Sequence, residues 1–144
     1  VPFFHDQSRT ELRRAWLTAW RRRSEGLPLE PLQAQMADVA ALHPEYAPVL
    51  GSDAALERDW MPEGGTENPF LHLSMHLAVR EQVATDRPRG IAAAHAALSA
   101  RLGSVHAAEH AMLEKLGEAL WAAQRAGRAP DEQAYLAAIE RLIR

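Results

Sequence analysis

A chain of 144 residues, 47% apolar and 24% charged, is long enough to bury one sizeable core and too apolar to be largely disordered. Its net charge of −3 offers no general electrostatic footprint for nucleic acid, and the lack of cysteine excludes disulfides, thiolate metal ligands and a cysteine nucleophile. No run approaches the roughly 18 apolar residues of a membrane span, and no signal-peptide pattern opens the chain. A cytoplasmic protein forming one domain over residues 1–144 is the expectation.

In chain order, Ser8 and Glu11 make a capping box that predicts a first helix over 8–24, with Leu12, Ala15, Trp16, Ala19 and Trp20 on its apolar stripe. Arginines 9, 13, 14, 21, 22 and 23 scatter around that helix and read as a solvated face. A second helix follows over 30–42, with Pro31 in its first turn and His43-Pro44 as its stop. Short helical pieces are expected over 44–50 and 52–57, then a loop through Met61-Pro62-Glu63-Gly64-Gly65-Thr66. Gly64-Gly65 is no phosphate loop, because the Lys-Ser or Lys-Thr that should follow is missing. Trp60, just before this loop, is placed like the rim of a site.

Asn68-Pro69 reads as an N-cap with proline at the first helical position, opening a helix to residue 84. Asp86-Arg87-Pro88 breaks it and caps the next, which carries Ile91, His95, Leu98 and Leu102 on one stripe. The longest helix runs over 104–126 from Ser104 and stops at Gly127; Pro130-Asp131 opens the last, with Tyr135, Leu136, Ile139 and Leu142 buried. No segment alternates with period two, and no repeat of fixed period is present. The predicted fold is all-α: an irregular single-domain bundle of about five main helices with short connecting helices.

The chemistry lies in the histidines. His72 with His76, and His106 with His110, are spaced four apart, so each pair shares a helix face and can aim two ring nitrogens at one point. On a wheel of about 100° per residue, His72 and His76 lie beside Leu73, Val79 and Val83. His106 and His110 border the stripe of Val105, Met112, Leu113, Leu116 and Leu120, with Glu114 at its edge within reach of a metal on His110. Gly117, on the same border, leaves room for a close approach. His95 holds a stripe position that leucine would pack better. Glu67, Glu81 and Glu109 are candidates to orient the rings through their second nitrogens.

One His-x3-His pair arises often by chance, and buried histidines commonly bond to carbonyl or carboxylate groups instead of metal. Two pairs with an in-face glutamate and a third inward histidine shift the balance. The expected site is a transition-metal centre, zinc or iron, of His72, His76, His106, His110 and Glu114, with His95 as a further candidate and Glu114 as candidate base. Imidazole and carboxylate donors suit zinc, iron, copper or nickel better than magnesium or calcium. An open coordination position would allow metal-assisted hydrolysis or transfer. Only Glu114 offers a carboxylate on the histidine face, which argues against a dinuclear iron site. Ser74, across the helix from His76, is a poor nucleophile candidate. The competing expectation is a non-enzymatic interaction module with structural histidines and an arginine-rich docking helix. No partner is identified by the sequence, and membrane and nucleic acid are disfavoured.

Glu67-Asn68-Pro69-Phe70-Leu71-His72-Leu73-Ser74-Met75-His76, with Arg80-Glu81-Gln82, Thr85-Asp86-Arg87-Pro88, His106-Ala107-Ala108-Glu109-His110 and Glu118-Ala119-Leu120-Trp121, resembles a bacterial family known as domain of unknown function 1841. His43-Pro44-Glu45-Tyr46 and the stretch from Pro130-Asp131 to Tyr135-Leu136 extend the resemblance over nearly the whole chain. It implies no assigned activity, substrate or partner. Hemerythrin-like and DinB-like bundles are a looser, architectural comparison. Hemerythrin-like sequences place His-x3-Glu before His-x3-His and end on His-x4-Asp, so the different order here carries over no oxygen binding.

Overall fold

The computed structural model describes the backbone of residues 2–60 and 67–144 and the side chains of 9–60 and 67–144. The loop expected over 61–66, Gly64-Gly65 included, lies outside them. The described residues form seven α-helices and two 3-10 turns, with no strand among them. They are α1 (Pro2–Ser24), α2 (Pro31–Ala41), α3 (Ala47–Leu50), α4 (Pro69–Thr85), α5 (Ile91–Leu102), α6 (Val105–Ala126) and α7 (Glu132–Ile143). The turns, Pro44–Tyr46 and Asp53–Leu56, flank α3. No described helix is long and apolar enough to cross a membrane. Packing divides the chain into two compact units, Val1–Ser74 and Met75–Arg144, and the division falls inside α4.

In the first unit α1 packs on α2, burying Trp16, Leu17 and Ala19 along with Met36, Ala37, Val39 and Ala40. Each large apolar side chain so buried contributes roughly 1.5–3 kcal/mol. The predicted stripe is corrected in two respects. The helix begins at Pro2, so Ser8 is not its cap, and Leu12 is 48% exposed while Arg13 is only 2% exposed. Arginine reads as a surface residue, yet Arg13 Nη1 donates to the carbonyls of Ala55 (3.2 Å), Leu56 (3.2 Å) and Arg58 (2.7 Å). Its guanidinium also lies 5.2 Å from the Trp60 ring and 5.1 Å from that of Phe70. Trp60, expected at a rim, therefore stacks on a structural arginine. The neighbouring arginines are engaged as well: Arg9 with Asp59, Arg21 with Asp53, Arg23 with Asp38 and Arg22 with the Pro28 carbonyl. The exposed ion pairs add little stability.

The second unit packs α5, α6 and α7 on one another around Ile91, Leu98, Met112, Leu116, Leu136 and Ile139, with Val79 of α4 in the same core. The predicted signals act as caps. Asn68 Oδ1 accepts from the Phe70 and Leu71 amides, Ser104 Oγ from Ala107, and Asp131 Oδ1 from Ala134. Asp86, at φ 51°, ends α4, and its carboxylate takes the amides of Gly90 and Ala92 at the start of α5. Gly127, at φ 67°, closes α6. The α6 stripe begins later than expected: Val105 and Leu120 are exposed, and the buried face is Ala108, Met112, Leu113, Leu116 and Ala123. A Cβ on Gly117 would meet Met75 Sδ at 3.8 Å, an ordinary contact, so glycine is not required there for close approach.

Candidate metal centre

Helix α4 carries His72 and His76 one turn apart, fixed in register by the Asn68 cap, and both rings are buried, at 8% and 0% exposure. Around His72 the arrangement is set by residues of the first unit. His43, fully buried just beyond the C-terminus of α2, donates Nδ1–H to the Val39 carbonyl at 2.9 Å. His72 donates Nδ1–H to Glu67 Oε1 at 2.9 Å. Carbonyl and carboxylate oxygens only accept, so both rings carry their hydrogen on Nδ1. The two Nε2 atoms then present lone pairs to each other across 3.1 Å. Two lone pairs at that distance repel, and the contact needs a positive centre: a shared proton or a metal ion.

Tyr46 closes this side. Its ring stacks on His43 at 5.5 Å and meets His72 edge-on at 5.8 Å, while its hydroxyl donates to Glu67 Oε2 at 3.2 Å. Burial, then the negative charge of Glu67, pushes that hydroxyl above the usual phenol range.

Around His76 the partners come from the second unit. His76 donates Nε2–H to Glu109 Oε1 at 2.8 Å, Arg80 Nε reaches the same oxygen at 3.2 Å, and His95 Nε2 reaches Oε2 at 3.0 Å. Burial of Glu109 pushes its pKa up, but the hydrogen bonds from His76 and His95 and the charge of Arg80 outweigh it and hold the carboxyl at about 2. Glu109 is therefore an anion that fixes the His76 ring through Nε2, and a metal would take Nδ1. The His110 ring lies 5.5 Å from that of His76, and His106 lies 4.2 Å from His110 and 6.1 Å from His76.

The candidate cluster that could hold a metal ion consists of His43 and His72 from the first unit and His76 and His110 from the second, each offering one ring nitrogen. Three of these rings are buried and His110 is half-buried. At zinc–nitrogen distances of about 2.0–2.1 Å a tetrahedral ion sets nitrogen–nitrogen edges of about 3.3 Å, so His43 and His72 already stand near that spacing.

Of the expected site residues, His76 and His110 lie beside each other in the second unit, and in the first His43 joins His72. His106 is exposed on the first turn of α6, Glu114 is exposed one turn beyond His110, and His95 bonds to Glu109; none of these three is in the cluster. Of the carboxylates expected to orient the rings, Glu67 and Glu109 do so, while Glu81 is exposed. Ser74 Oγ accepts from Trp16 Nε1 at 3.2 Å, a packing role. His43 was legible only as a helix stop before Pro44. Its presence in the segment carrying the family resemblance was the sole further signal.

Comparison with curated proteins and with solved structures gives no match. The family described as "Domain of unknown function (DUF1841)" matches residues 8–141, and the chain belongs to that family.

Proposed function

We propose that this protein binds a transition metal through His43, His72, His76 and His110. The observation that carries the reading is the His43–His72 contact, where two lone pairs face each other at 3.1 Å with both Nδ1 hydrogens committed elsewhere. A shared proton would satisfy two ring nitrogens; a metal ion serves all four of the cluster. The outer bonds favour the metal too. His72 rests on Glu67, His76 on Glu109 and His43 on a main-chain carbonyl, the pattern that orients metal-bound imidazoles and raises their basicity. All-imidazole donors suit zinc, iron, copper or nickel.

Four rings close the coordination of a tetrahedral zinc ion, which makes it a structural or storage site. Iron or nickel, taking more donors, would keep positions open, and metal-assisted hydrolysis or transfer belongs to that case. Elemental analysis of untagged protein is the test, with His72→Ala and His76→Ala alongside. Stoichiometric metal in the wild type and its loss in both variants is the expected result. Protein that stays metal-free after reconstitution with zinc and with iron(II) would overturn the proposal.

A further inference from the structure

We propose that His106 captures the metal at the surface and passes it inward through His110, a reading that rests on the metal centre proposed above. The three rings form a graded series: His106 is exposed, His110 half-buried and His76 fully buried. Ring centroids are 4.2 Å apart from His106 to His110 and 5.5 Å from His110 to His76. Ser104 caps α6 two residues before His106, so the exposed turn is held helical and His106 and His110 share a face before any ion arrives.

Without such a pair, an incoming ion would have to shed its waters in reaching rings that are buried. At the pair it exchanges two waters for the ring nitrogens of His106 and His110 while still in solvent. The bond to His106 then breaks as the bond to His76 Nδ1 forms, and His110 stays attached throughout. Each exchange replaces one neutral donor by another, so the ion keeps its charge and no electron moves. This assigns His106 a kinetic role and explains why an exposed histidine lies with its ring 4.2 Å from that of the half-buried His110.

The test is stopped-flow loading of the metal-stripped full chain with cobalt(II), followed by its visible absorption. The wild type should show a fast phase whose rate rises with cobalt concentration, then a slower phase to the final spectrum. His106→Ala and His106→Gln, at an exposed position, should lose the fast phase and reach the same final spectrum. His76→Ala should keep the fast phase and never develop the final spectrum. A fast phase that survives in both His106 variants would overturn the capture role, and a weaker final spectrum in them would make His106 a permanent ligand instead. A wild-type chain that takes up no cobalt would remove the metal centre, and this role with it.

Discussion

Replacing Glu109 by glutamine separates the metal reading from a purely structural one. The carboxylate is 4% exposed and accepts from three side chains, Oε1 from His76 and Arg80 and Oε2 from His95. Glutamine keeps the shape and one acceptor oxygen. Its amide group must then face a ring N–H or the guanidinium, donor against donor. The loss is at least one buried, charge-assisted hydrogen bond, about 2–3 kcal/mol, which in a chain of this size lowers Tm by roughly 6–12 °C. A structural network predicts that loss and nothing else. If Glu109 holds His76 so that Nδ1 meets a metal, affinity should also fall about 10–100-fold, as it does when such outer partners are removed elsewhere. Urea unfolding of the metal-free chain gives the first quantity, and competition with a coloured zinc chelator gives the second. Zinc affinity within about threefold of wild type, beside a clear drop in stability, would refute the orienting role.

Arg13→Met keeps the stem against Trp60 and Phe70 but strips three carbonyls of a charged donor, so chemical unfolding should show a loss of about 2–4 kcal/mol, and a change below about 0.5 kcal/mol would mean those carbonyls find other donors. Burial pushes the Tyr135 hydroxyl, which donates to Gln82 Oε1 at 2.7 Å, up to about 12. Because the folded value lies above the unfolded one, near 10, that contribution is whole below pH 10 and is lost as pH rises through about 12, some 2–3 kcal/mol in all. The stability curve of Tyr135→Phe should therefore converge on that of the wild type over this window, and parallel curves from pH 9 to 12 would contradict the assignment.

Local chemistry made the helices legible. Asn68, Ser104, Asp131 and Gly127 act where their side chains or backbone freedom predicted. Periodicity also found His72 and His76, since a wheel reports what shares a face of one helix. It cannot report what a neighbouring element brings. His43 reaches His72 from 29 residues away, beyond the end of α2, where no helical period extends. His106 illustrates the converse. The wheel pairs it with His110, but residues 105–107 of α6 are exposed, so the helix is buried only from Ala108 onward. Arg13 escaped notice because its burial depends on carbonyls of the turn at Asp53–Leu56 and just after it.

The donor set narrows the chemistry beyond what spacing allowed. In the proposed centre four neutral imidazoles would leave the full charge of a divalent ion to be balanced nearby. Glu67 and Glu109 are each hydrogen-bonded to one ring nitrogen of a proposed ligand, so their two negative charges would offset the ion without occupying its coordination sphere. That arrangement suits an exchangeable ion: removing the metal leaves each carboxylate still paired with its histidine instead of stranding two anions in the centre. In that proposal an open coordination position would be reached beside His110, since His43, His72 and His76 are buried and His110 is partly exposed. The identity of the ion then decides the function, since a tetrahedral one is closed by the four rings whereas one taking five or six donors would meet solvent beside His110.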